Sequence, residues 1–281
     1  MKIVSTGATL SSPEYQKKKK KERKRKLIVF SSVVFAVLIA TVLLLRLEQI
    51  QISQISVEGN EVISDEKAAV VARDALRGNY LGLIPRTNAL FYPKSQVKES
   101  LSREFPRFSS IEVKLSSINS IKVSVTEREP YALYCSSAER PQDASACFFL
   151  DKGGFIFDEA PAFSGTVYFV YASEQYIESS LGQELMLRSE FEEFADFISQ
   201  LELLGFQPLA ALVGKEDLVV VMPEQARLIV KREDEFSGIY SNLEAFLNNE
   251  SIREQGNFIE KFSELDLRTR NKVRWSLKEQ I

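Results

Sequence analysis

The 281-residue chain contains no histidine. That absence removes the Ser-His-Asp triad, the Cys-His dyad, the HExxH zinc site and the His-containing facial triad. Cysteine is nearly absent as well. Cys135 and Cys147 are the only two, too few to build a cysteine-rich zinc site. Phosphate-cradling loops are missing: Gly214-Lys215 is followed by Glu216 where a P-loop needs Ser or Thr, and no GxGxxG occurs. What survives is carboxylate chemistry, Ser/Lys chemistry or no chemistry. No metal, cofactor or catalytic residue is expected. The acidic doublets Glu192-Glu193 and Asp234-Glu235 read as solvated charges, the usual state of acids. An anchored Ser/Lys peptidase would need Ser-Met-x-Pro, but Met222-Pro223 is preceded by Val221. A membrane-anchored cell-envelope hydrolase is therefore the alternative reading, testable by a deep cleft with two convergent carboxylates.

The net charge of -3 hides a segregation. Residues 1–26 carry ten basic residues against two acids, net +8, and the rest carries 26 basic against 37 acidic, net -11. The acidic body is a poor match for nucleic acid, whose phosphates need a basic surface.

Between the two lies a run without charge. Leu27 to Leu45 is 19 apolar or hydroxyl-bearing residues, bounded by Lys26 and Arg46. As a helix it spans about 28 Å, the thickness of a hydrocarbon core. Nine Lys/Arg between Lys17 and Lys26 precede it, so the positive-inside rule puts the N-terminus in the cytoplasm and residues 46–281 outside. The run is longer than a signal-peptide core and ends without small residues, which favours an uncleaved anchor. Residues 1–16 are short and polar and are expected to be unstructured.

Beyond the anchor, Ile55 and Val57 alternate with polar residues before Gly59-Asn60, as a strand does before a turn. Ile50 and Ile52 are out of phase with them, which a bulge or a late strand start would absorb. Ser64 caps a helix whose Ala68, Val71, Ala72, Ala75 and Leu76 share one face, with Gly78 as its stop. Pro93 opens a second helix through Val97, Leu101 and Phe105. Two alternating strands follow, through Ile111, Val113 and Leu115 and through Ile121, Val123 and Val125. The order is β-α-α-β-β.

From Tyr131 to Trp275 the pattern is mixed. Strand-like runs occur at Tyr131 to Cys135, Cys147 to Leu150, Phe155 to Phe157, Thr166 to Tyr171, Leu209 to Val213, Leu218 to Met222 and Arg227 to Lys231. Ser189 to Glu192 has the form of a capping box. Phe191, Phe194, Ala195, Ile198 and Leu201 then line one helix face up to Gly205. A second helix covers Phe236 to Phe246, and Phe258 to Leu277 reads largely as strand. Asn249-Glu250-Ser251 matches a glycosylation sequon by chance.

The element order, with Val57-Glu58-Gly59-Asn60 ending the first strand and Val125 to Pro130 (VTEREP) ending the last, resembles a POTRA domain. Set after a basic tip and one span, the chain is similar to the FtsQ/DivIB family of bacterial division proteins. Phe149 to Phe157 (FLDKGGFIF) resembles that family's hairpin, and Leu265-Asp266-Leu267-Arg268 with Trp275 resembles its C-terminal strand. The resemblance implies an α+β protein: a basic cytoplasmic tail (1–26), a single transmembrane helix (27–45), a β-α-α-β-β POTRA domain (46–129) and a mixed, mostly antiparallel β domain with helices (130–281). It implies a non-enzymatic divisome subunit of the cytoplasmic membrane and septum, recruiting FtsB/DivIC-like and FtsL-like partners, with an upstream recruiter on the POTRA domain. A POTRA protein of outer-membrane assembly would instead carry a transmembrane barrel, and no series of lipid-facing strands is present.

Two site expectations complete the reading. Cys135 and Cys147 close one strand and open the next, in an oxidising compartment by the topology argument, and are expected to form a disulfide. The partner site is placed on Asp266, Leu267, Arg268, Thr269, Val273, Arg274 and Trp275, in a terminal segment expected at or near a sheet edge. Arg268, Arg270, Lys272, Arg274 and Lys278 make it basic within an acidic domain, and Trp275 is the only tryptophan. The family often has an aromatic directly after the Arg, whereas Thr269 stands here.

Overall fold

The structure, a computed structural model, describes residues 13–135, 147–163, 167–173, 180–254 and 256–278. Of these, the residues within Met1–Glu58, Asp65–Lys98 and Glu112–Val123 form one compact unit, and those within Gly59–Ser64, Glu99–Ile111 and Ser124–Ile281 a second.

Helix α1 (Pro13–Leu45) starts well before the apolar run. Residues 13–16, expected to be unstructured, are helical. Proline suits a first helical position, and the Lys, Arg and Glu that follow are good helix formers. Residues 1–12 of that expectation lie outside the described residues. Among the described residues α1 is the one helix long and apolar enough to cross a membrane, and none of its apolar window is buried against the chain. Two hydroxyls of its apolar run are satisfied within the helix: Ser32 Oγ donates to Ile28 O (2.8 Å) and Thr41 Oγ1 to Val37 O (2.9 Å). Such internal pairing is what a lipid surround demands of polar atoms.

The next elements are β1 (Gln54–Glu58), α2 (Asp65–Ala75), β2 (Asn79–Tyr80), β3 (Ile84–Pro85), α3 (Lys94–Glu104), β4 (Phe108–Ser117) and β5 (Ser120–Glu127). The sheet order is β1-β5-β4. The expected β-α-α-β-β order is present, with the small β2–β3 hairpin added inside the loop before α3. The out-of-phase Ile50 and Ile52 are resolved by a late strand start: residues 48–50 form a 3-10 turn, and Ile52 is buried ahead of β1. Ala68, Ala72 and Leu76 of the α2 segment are buried, as are Val97 and Leu101 of α3. Ile111, Val113, Ile121, Val123 and Val125 are buried along the strands, while Leu115 stands exposed near the turn. Gly59 has a positive φ of 87°, and a Cβ there would lie 2.2 Å from Val125 O, so no other residue fits.

A nine-stranded sheet dominates the second unit. Its strands are β6 (Ala132–Cys135), β7 (Cys147–Leu150), β8 (Ile156–Ala160), β9 (Val170–Ser173), β10 (Ala210–Val213), β11 (Asp217–Val221), β12 (Arg227–Lys231), β13 (Phe262–Thr269) and β14 (Lys272–Leu277). Their order is β14-β13-β12-β11-β10-β9-β6-β7-β8. Pairing is antiparallel except at β9–β10, β12–β13 and β6–β9. Parallel neighbours need a crossover. Helix α4 (Arg188–Leu203) supplies it between β9 and β10, and α5 (Phe236–Leu247), α6 (Glu250–Arg253) and α7 (Phe258–Lys261) supply it between β12 and β13. The phenylalanine stripe is core: Phe191, Phe194, Phe197 and Leu201 pack with Tyr171, Val220, Leu228 and Leu265, and Phe197 stacks on Phe236 at 5.2 Å.

Three local expectations change. The chain enters α4 at Arg188, after an N-cap Leu187 without a side-chain bond, and Phe191 N donates to Leu187 O (2.9 Å). Ser189 is therefore inside the first turn, and Glu192 pairs with Arg188 (3.3 Å) instead of completing a capping box. The strand expected over 166–171 is β9, four residues later, and Thr166 lies outside the described residues. Phe258 to Lys261 is helical, entered from left-handed Asn257 (φ 46°). The Asn249-Glu250-Ser251 triplet has a structural use: Asn249 Oδ1 caps α6, accepting from Ser251 N (3.1 Å) and Ser251 Oγ (2.7 Å).

Candidate functional site

The candidate residues lie on β13 and β14. Strand β14 is the edge of the sheet: β13 lies on one side and, among the described residues, no strand on the other. Its outward groups are open to pairing, because an edge strand keeps a row of unpaired N–H and C=O groups. The register sets Trp275 opposite Leu265, Arg274 opposite Asp266 and Lys272 opposite Thr269, with irregularities between Phe262 and Glu264 and between Asp266 and Thr269. Asn271 turns the hairpin in the left-handed region (φ 59°).

The seven residues divide into three groups. Asp266 and Arg268 form a stitch. Asp266, 8% exposed, accepts at Oδ1 from Arg268 N (3.0 Å) and Nε (3.0 Å) and at Oδ2 from Nη2 (2.9 Å). The second arm of Arg268 reaches over β12 to Asp217 on β11 (2.8 Å). The side-chain bonds from Arg268 outweigh burial and hold the Asp266 carboxyl below its ordinary value, and the two carboxylates hold the Arg268 guanidinium strongly protonated. Arg268 is committed to two strands of its own sheet, β13 and β11. Leu267 is buried, and Val273 is half-buried against the core. The third group is available. Thr269 flanks the turn, Arg274 is exposed, and Trp275 is 39% exposed with its ring set edge-on against Phe258 at 5.4 Å. Arg270 and Lys272 make no ion pair among the described residues. Lys278 is occupied, donating to Glu224 Oε2 (2.6 Å) and Glu260 O (2.8 Å).

Beside Lys278 lies a groove of about 780 Å³ that sequence reading did not find. Phe206, Met222, Phe258 and Phe262 line its floor, with Glu224 and Glu244 among the polar residues around it. It is assembled from α4, α5, α7 and the turn before β12, so no local pattern announces it.

Cys135 and Cys147 are bonded and stand opposite each other across β6 and β7, with Cα atoms 4.3 Å apart.

The remaining motifs acquire physical roles. In Asp151-Lys152-Gly153-Gly154, Asp151 Oδ1 accepts from Gly153 N (2.8 Å) and Phe155 N (3.0 Å), closing the turn between β7 and β8. Asp151 Oδ2 pairs with Arg128, which also lies 4.1 Å from the Phe155 ring centre. Glu127 accepts from the consecutive backbone N–H groups of Glu61, Val62 and Ile63 (3.0–3.1 Å) and from Arg107 Nε (3.0 Å). Burial alone would raise its carboxyl, yet these donors together hold it below its ordinary value. Arg107 continues to Asp158 (2.5 Å). The Glu127-Arg128 pair was visible as a motif, but Arg107 and Asp158, its distant partners, carried no signal of their own.

Fold and site define an α+β chain with one helix able to cross a membrane and a large sheet left open at a basic edge. No family model matches the chain, and no curated protein does.

Proposed function

We propose that the chain is a single-pass, non-enzymatic scaffold of the FtsQ/DivIB kind, held in the cytoplasmic membrane at the division septum. Its sheet receives a strand from an FtsB/DivIC-like partner and, through that partner, an FtsL-like one. On this reading residues 46–129 are a POTRA domain that takes an upstream recruiter, and residues 130–281 are the β domain that presents the edge.

The observation that carries the proposal is β14. It is an open edge of six residues, basic in an acidic unit, with a half-exposed Trp275 as an anchor. Backbone pairing supplies the affinity in strand addition, and side-chain pockets select the sequence. A partner strand running past Lys278 meets the groove beside it, where an apolar side chain finds Phe258 and Phe262. Arg268 is a poor probe of this surface, because it is bound to Asp266 and Asp217. Arg270, Lys272 and Trp275 are the informative positions.

The test is affinity capture by the full-length, membrane-extracted chain carrying a photo-cross-linker at position 274, with septal localisation scored beside it. The expected cross-link is to a small bitopic partner and is lost in the Lys272→Glu/Trp275→Ala double variant. Undiminished capture by that variant places the binding surface elsewhere.

A further inference from the structure

The loop between α2 and α3 carries features that water and folding both disfavour. Leu81 is 96% exposed, Leu90 71%, Phe91 51% and Leu83 50%, and Leu47 stands exposed just after α1. Scattered exposed apolar residues are ordinary, but a cluster of large ones on one loop marks a surface that contacts something apolar. Leu81 is also in the wrong conformation for its type. With Gly82 it makes the tight turn between β2 and β3, closed by Leu83 N to Tyr80 O (2.9 Å), and it sits at φ 49°. That turn selects Asn or Asp at such a position, since a Cβ with a longer side chain is strained there. Neither exposure nor backbone preference explains a leucine.

The placement explains it. The loop is tied to the outer end of α1. Arg46 Nε donates to Leu83 O (2.8 Å) and Nη2 to Gly82 O (3.0 Å), while Asn88 Nδ2 and Gln51 Nε2 each donate to Leu45 O (2.8 Å), the last residue of the helix. Arg46 thus fixes the Leu81-Gly82-Leu83 tip one arginine's length from the point where the apolar helix ends. Charge agrees. From Ala75 to Lys98 the chain has Arg77, Arg86, Lys94 and Lys98 and no acid. Basic side chains beside apolar and aromatic ones are the composition of a segment that sits among anionic headgroups. Tyr80, under the Arg86 guanidinium at 5.6 Å, and Phe91 add the aromatic component found at membrane interfaces.

We infer that the β2–β3 hairpin and the Leu90-Phe91 turn dip into the outer leaflet of the membrane that α1 crosses, making the chain's attachment two-point rather than a single helix. The partner is the lipid interface itself. The inference rests on α1 being a span, but not on the divisome reading.

The experiment uses the full-length chain reconstituted into vesicles of phosphatidylcholine and phosphatidylglycerol. Single cysteines replace Leu81, Leu90, Val37 or Val62 and carry a nitroxide, and the natural cysteines are already paired. All four positions are exposed, so the label displaces no core contact. Collision with oxygen is compared with collision with a water-soluble nickel chelate. Val37, in the middle of α1, reports the span, and Val62, 61% exposed with its N–H held by Glu127, serves as the water-exposed reference. The expected result is an oxygen-to-nickel ratio at Leu81 and Leu90 several-fold above that at Val62 and approaching that at Val37. Ratios at Leu81 and Leu90 equal to that at Val62, with Val37 shielded, overturn the loop insertion alone. Nickel access at Val37 overturns the span and the insertion with it.

Discussion

At one end of the nine-stranded sheet, β8 is covered by its own chain. Ile156 N donates to Gln183 O (2.9 Å), Gly182 N donates to Ile156 O (2.8 Å), and Phe155 pairs with Glu184. Its Asp158 is held by Arg107. At the other end, β14 has no such backbone cover among the described residues, and its outer face is exposed nearly throughout. Natural sheets protect edges by covering them or by charging them. This sheet uses covering at β8 and charge at β14. The second device is selective: two basic β14 edges repel each other, while a partner strand carrying acids is drawn in. An edge defended only by charge is closed to copies of itself and open to a complementary chain.

The comparison breaks first at the covered end. Gly154, in the β7–β8 turn, has φ 76°, and a Cβ there would lie 2.6 Å from the Phe191 ring. Gly154→Ala should combine left-handed strain with overpacking and cost about 4 kcal/mol. Urea unfolding of the solubilised full chain measures it. A cost below about 1 kcal/mol, within the range of an ordinary surface change, would mean that the covered end is not rigidly packed.

The next largest effect is at the disulfide that joins β7, the neighbour of β8, to β6. Reduction, or the Cys135→Ala/Cys147→Ala pair, should lower stability by about 3 kcal/mol in the chain-entropy account. It should speed amide exchange in β6 and β7 while leaving Trp275 fluorescence, the only tryptophan signal, unchanged. A matching shift at Trp275 would show that the two ends do not respond separately.

Third comes the Asp266 stitch on the open side. Asp266→Asn should cost about 2 kcal/mol, the scale of a charge-assisted hydrogen bond. The folded carboxyl is held below its ordinary value of 3.8, so its contribution is complete above that pH and is lost as the pH falls through the lowered folded value. The wild-type chain should therefore lose stability on acidification below about pH 4, and the Asn variant should lose less. Parallel acid curves for the two would mean that the Asp266–Arg268 pair adds nothing to the fold.

How far these features were legible differs by cause. Alternation and helical spacing are local, so the strands of Ile111 to Val125 and the core stripe Phe191 to Leu201 could be read directly. Asp266 and Arg268 could be read as a motif, but not as a pair turned inward, because Asp217 lies on a strand two places away. The edge position of β14 was expected from its terminal place in the chain. The groove beside Lys278 and the Glu127-Arg107-Asp158 chain were illegible, since they form only when segments far apart in sequence meet. Ser189 misled because a capping box needs the helix to start after it, and the chain turned two residues earlier, with Leu187 as the N-cap.

The smallest effect on stability carries the sharpest test of the open end. Trp275 is 39% exposed, and its main ring contact is edge-on to Phe258. Removing that contact should cost about 1 kcal/mol, the value of one aromatic pair. If the ring serves only the fold, Trp275→Phe restores the contact and leaves no further trace. If it anchors a strand laid against β14, Trp275→Ala should reduce partner capture far more than its stability cost accounts for, since exposed tryptophans at the centre of an interface commonly carry about 2 kcal/mol or more of binding. The two roles separate on one plot of capture against unfolding midpoint. Variants at Leu267 and Val273, which face the core, should move along a single line in which capture follows stability. Trp275→Ala and Lys272→Glu should fall well below it. If they lie on the line, β14 is protected by its charges and by nothing more, and its open edge is not the binding surface.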